Sequence, residues 1–163
     1  PLLAGAIDTA ILHVDQMIMA RQKEPSLHTL VKFWELEPNQ LFLVVVAQEK
    51  KLAADPAKYR ALIRALAKAN RFMYANKART VEIGVKHAKI PRDVAEQAYD
   101  ELVNGKVWSQ NDGLLRSKVE YTINRMVTVG NIKPEERPKP EDYAAVSLVE
   151  EALKGLPRVP DYD

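Results

Sequence analysis

The chain has 163 residues, enough for a real hydrophobic core, and 47% of them are hydrophobic against 28% charged, which excludes a disordered chain. Its 24 basic and 22 acidic residues are interspersed and leave a net charge of +2, so no nucleic-acid footprint is indicated. There is no cysteine, which excludes disulfides, thiolate zinc sites and thiol nucleophiles within these residues.

The opening Pro1-Leu-Leu-Ala-Gly-Ala-Ile-Asp-Thr-Ala-Ile-Leu12 reads as the end of a helix over 2–4 stopped by Gly5, then a short strand over 9–12. It starts as if inside an element, so the chain is expected to be a carboxy-terminal portion of a longer protein. A helix is expected over 14–23, ended by Pro25, and a second strand over 30–34. The run 41–47 has no polar residue and three consecutive valines. It reads as a strand apolar on both faces, with Val44, Val45 and Val46 buried in the intact protein.

Beyond it the pattern is helical. Asp55 stands at an N-cap position with Pro56 at the first helical position, and Leu62, Ile63, Leu66 and Met73 recur at helical spacing over 57–76. Further helices are expected over 79–87, over 91–103 ending at Asn104-Gly105, and over 114–129 with Leu115, Val119 and Ile123 on one face. Residues 133–142 hold three prolines among charges and read as an extended loop. A last helix is expected over 147–154, and the tail 155–163 reads as frayed. The fold class expected is therefore helix-rich α/β, with strand only within about 9–47 and helices dominating after it. Three short strands do not make a self-contained sheet, so they call for partners from outside these residues.

Candidate sites follow the same order. His13, Asp15 and Gln16 form a polar turn between a strand end and a helix, where open α/β sheets face their ligand crevice. At least one of the three is read as a ligand contact, against the alternative that Asp15 merely caps the helix and His13 is solvated. Trp34 either stacks on a planar ligand or packs beneath the next loop. Asn39 and Gln40 either reach ligand or shape a turn. His28 and His87 have no histidine partner at metal-ligand spacing, and no metal or other cofactor is expected. An amino-terminal proline is the base of tautomerases, but Pro1 leads into helix-forming residues rather than a strand.

The order of these signals resembles the carboxy-terminal half of the ABC-transporter substrate-binding proteins for nitrate, sulfonates, taurine and thiamine precursors. Leu3-Ala-Gly-Ala-Ile-Asp-Thr-Ala-Ile-Leu12 is similar to the family's turn from helix to strand at the cleft floor. Residues 41–47 followed by Leu52-Ala-Ala-Asp-Pro56 resemble its hinge strand and the entry to the next helix. Tyr59-Arg-Ala-Leu-Ile-Arg-Ala-Leu66, Val94-Ala-Glu-Gln-Ala-Tyr99 and Ser147-Leu-Val-Glu-Glu-Ala-Leu153 resemble later helices of the family.

The resemblance spans residues 3–153. It implies a two-lobe periplasmic-binding-protein type II fold in which 1–40 end the second lobe, 41–48 form the hinge strand, and 49–155 return to the first lobe before the tail. It implies a small-molecule ligand of sulfonate, nitrate, pyrimidine or aromatic-acid class. It also implies a membrane permease and ATPase as partners, a periplasmic or extracytoplasmic location, a monomer when complete, and no catalysis. Two alternatives stay open: an enzyme on the same scaffold, similar to thiamine-pyrimidine synthases, and a ligand-sensing domain of a signalling protein.

Overall fold

A computed structural model describes residues 1–111 and 114–160. Helix dominates, and no strand is present among the described residues. The opening turn Leu2–Ala4 is a single 3₁₀ turn stopped by Gly5 at φ 67°, the left-handed conformation a glycine adopts without a Cβ penalty. There follow α1 (Val14–Lys23), α2 (Phe33–Leu36), α3 (Glu49–Ala54), α4 (Pro56–Ala75), α5 (Lys77–Ala88), α6 (Arg92–Asn104), α7 (Arg116–Thr128), α8 (Pro140–Tyr143) and α9 (Val146–Leu153).

The α4 entry follows its sequence signals. Asp55 Oδ1 accepts the Lys58 N–H at 3.0 Å, and Pro56 is the first helical residue.

The chain divides into two compact units, residues 1–32 with 72–108, and residues 33–71 with 109–163. In the first, α6 is the central element. Its Val94 and Ala98 bury against Ile18 of α1, and its Ala95 and Tyr99 against Val81 of α5. The Tyr99 hydroxyl donates to the carbonyls of Met73 and Tyr74 at 2.7 and 3.2 Å, so the buried phenol is paired. Gln22 Nε2 donates to Asp93 at 2.6 Å and ties α1 to the first turn of α6.

In the second unit Val119 and Ile123 of α7 bury against Val146, with Leu41, Leu114 and Ala144 packed around them. Leu115, expected on the same face, is 41% exposed because it stands before the first turn of α7.

Several expectations are corrected. None of the three strands forms. Residues 9–12 and 41–47 are irregular, and 33–36 coil into α2. A strand apolar on both faces is stable only inside a sheet covered on both sides. Here the helices bury their stripes in small clusters of their own instead. Val44, Val45 and Val46 are accordingly 55%, 75% and 84% exposed.

The charged loop 133–142 is not wholly extended. Pro134–Glu136 makes a 3₁₀ turn and α8 starts at Pro140. Both prolines sit at first helical positions followed by acidic residues, where proline initiates rather than breaks. The tail is not frayed through 160. Asn111 accepts the Val159 N–H at 2.7 Å and donates to its carbonyl at 3.1 Å. Residues 161–163 of that expectation lie outside the described residues.

The short helix α3 went unread because Asp55-Pro56 marks only its end. Its Glu-Lys-Lys-Leu-Ala-Ala composition is strongly helix-forming.

Candidate functional site

The six residues singled out from the sequence fall into two groups: His13, Asp15 and Gln16 in the first unit, and Trp34, Asn39 and Gln40 in the second. In the first group His13, not Asp15, is the N-cap residue of α1. Gln16 Oε1 accepts the His13 N–H at 3.1 Å, the back-reaching half of a capping box. Asp15 lies half-buried in the first turn, where its charge meets the positive end of the helix. His13 and Gln16 are exposed, so both present polar groups to solvent.

In the second group Asn39 occupies a turn closed by the Gln40 N–H donating to the Glu37 carbonyl at 3.0 Å. Pro38 precedes it, as a turn's second position favours. One polar face of α7 holds this turn. Lys118 Nζ donates to the Pro38 carbonyl at 3.2 Å. The Tyr121 hydroxyl donates to Glu37 Oε2 at 2.5 Å, and Arg125 Nε lies 3.3 Å from Glu37 Oε1. Thr122 Oγ1 accepts the Leu41 N–H at 3.0 Å. The Glu37 carboxylate accepting the phenolic proton raises the Tyr121 pKa above its ordinary value, with desolvation adding to it.

Gln40 Oε1 is buried with no donor among the described residues. Trp34 is half-buried in α2. The clamp residues Glu37, Lys118, Tyr121 and Arg125 were missed from the sequence. Their only signal is that Lys118, Tyr121, Thr122 and Arg125 recur at the three- and four-residue spacing of one helical face.

A cleft of about 430 Å³ also lies within the second unit, between the entry of α7 and the end of α9. Leu114, Val149 and Leu153 give it an apolar wall, and Arg71, Arg116, Lys154 and Arg158 bring positive charge to it. Arg71 Nε donates to the Gln110 carbonyl at 2.8 Å, and Arg64 donates to the carbonyls of Ala152 and Lys154 at 2.7 and 3.1 Å. Those bonds fix the backbone on two sides of the cleft.

Arg116 is ion-paired with Glu141 of α8. The Arg116 hydrogen bond holds the Glu141 carboxyl below its ordinary pKa. A carboxyl depressed in the folded state stabilises above the unfolded pKa of about 4.3 and loses that contribution as pH falls through the folded value. We expect an NMR titration at low salt to place the Glu141 midpoint below the ordinary glutamate value. A midpoint at the ordinary value would show that the pair does not hold in solution. Both partners are largely exposed, so salt should weaken the effect.

Among the described residues no group of acidic or histidine side chains is arranged to hold a metal ion, and no helix is long and apolar enough to cross a membrane. No family model, curated protein or solved structure matches the chain.

Proposed function

We propose that the chain is part of an extracytoplasmic solute-binding component of an ABC importer, holding a small organic or anionic ligand between two lobes and delivering it to a membrane permease. The observation that carries this reading is the segment after the Glu37–Gln40 turn. Phe42, Leu43, Val44, Val45 and Val46 are all more than half exposed, and residues 42–47 make no backbone hydrogen bond among the described residues. Burying such a side chain fully is worth about 1.5–3 kcal/mol, so an uncovered run of five marks a surface that another element covers. A run apolar on both faces fits the interior of a sheet with helices on either side, as a hinge strand between two lobes requires.

The proposed ligand contacts are His13, Asp15, Gln16, Trp34, Asn39 and Gln40. Solute closes such a protein by touching both lobes and shifting the open–closed equilibrium.

The test is a calorimetric screen of the complete gene product against sulfonates, nitrate, pyrimidines and aromatic acids. Tight binding of one class without turnover is the expected result. Turnover would favour the enzymatic alternative, and no binding in any class would remove the reading. With the bound solute in hand, Asp15→Ala should weaken affinity by roughly 1.5–3 kcal/mol, one to two decades. Gln16→Ala should also lower stability by about 1 kcal/mol through loss of the capping box. An Asp15→Ala affinity equal to wild type would take that carboxylate out of the site.

A further inference from the structure

We propose that the cleft between α7 and α9 binds a small organic acid, its anionic head on the cations and its apolar body against the leucine and valine wall. The inference is independent of the solute-binding reading, whose proposed contacts do not line this cleft.

Three observations converge. First, the lining holds four cationic side chains, Arg71, Arg116, Lys154 and Arg158, against one carboxylate, Glu150. Arg116 is paired with Glu141 and also lies near Glu150, so the Arg116 charge is largely answered within the protein. Arg71 and Lys154 have no carboxylate partner among the described residues. Arg71 is also oriented, because its Nε is committed to the Gln110 carbonyl while the rest of the guanidinium fork remains to donate.

Second, α7 enters the cleft wall without a side-chain cap. Leu115 stands at its N-cap, where an oxygen-bearing residue is the rule, and it lines the cleft with Arg116. An anion at this end of a 13-residue helix meets the positive end of the helix dipole.

Third, one stretch of the wall is apolar. Leu114, Val149 and Leu153 present no hydrogen-bonding side chain, so a bare inorganic anion would leave that wall uncovered. A cavity of about 430 Å³ is within the range of small-molecule sites and takes a benzoate-sized acid.

The experiment is calorimetric titration of the 163-residue chain with sodium benzoate, benzamide and sodium sulfate. Benzoate should bind at least about tenfold more tightly than benzamide, which keeps the ring and loses the charge, and more tightly than sulfate, which keeps charge and loses the ring. Lys154→Gln should weaken benzoate about tenfold, and Arg71→Gln by as much or more. Arg71→Gln also removes a bond to the loop at Gln110, so its circular dichroism is compared with wild type. If that variant unfolds, Lys154→Gln decides, since its side chain is exposed.

Lys86→Gln, an exposed cation of α5 in the first unit that belongs to neither site, should leave benzoate affinity unchanged, which separates this cleft from a general response to lost positive charge. Equal binding of benzoate and benzamide, no benzoate binding, or a Lys154→Gln affinity equal to wild type would each overturn the proposal.

Discussion

Val94→Asp should leave the first unit unfolded. Val94 is fully buried on α6, packed with Ile18 and Ala98 and flanked by Val14, Met17 and Met19. None of those side chains offers a hydrogen-bond donor to a carboxylate, which must then be buried unpaired or protonated at a cost of several kcal/mol. Total stabilities of natural domains are about 5–15 kcal/mol, so a change of this size takes most of the margin. Because α6 also carries Ala95 and Tyr99 into the α5 cluster, its loss removes both contacts of the unit at once. Circular dichroism should show helix loss well beyond one helix. A variant that melts within a degree or two of wild type would mean that α1 and α6 do not pack as described.

Ile123→Ala should lower the stability of the second unit by about 2–5 kcal/mol. Ile123 is fully buried between Val119 and Val146, with Thr122 beside it bonded to the Leu41 N–H. The truncation removes apolar burial and leaves a cavity that the neighbouring turn, pinned through Glu37 to Tyr121 and Arg125, is poorly placed to fill. Urea denaturation of variant and wild type measures the difference. Ile123→Val should cost only about 0.5–1.5 kcal/mol. Equal losses for the two variants would argue against a tightly packed site.

The helices were legible where periodicity and end signals agreed. Residues 14–23 were read to the residue, and Asp55-Pro56 marked the start of α4. Gly5 and Pro91 likewise mark the ends where the structure has them. Prolines misled where they start short helices rather than stop long ones, at Pro134 and Pro140.

The strands failed for a different reason. The apolar pattern of 41–47 describes what the segment would bury against, and a strand exists only when partners supply its ladder bonds. Of the candidate site, Asn39 was correctly placed in a turn, and the polar turn at His13 does open a helix. The cap role belongs to His13 and Gln16 rather than Asp15 because Gln16, three residues after the cap, reaches back to it. The clamp from α7 and the cationic cleft stayed hidden because each joins residues far apart in sequence, such as Glu37 with Tyr121 and Arg71 with Lys154.

The exposed run Phe42–Val46 is where the account is most open to test, by amide hydrogen exchange of residues 42–46 in the 163-residue chain and in the complete gene product. In the chain alone these amides should exchange near the intrinsic rate, and Val45→Asp should leave its melting temperature unchanged, since Val45 is 75% exposed. In the complete protein, with the segment paired inside a sheet, they should slow by at least about a hundredfold, on the order of 2.7 kcal/mol of protection. Unprotected amides there, with or without solute, would contradict a hinge strand between two lobes and with it the solute-binding reading.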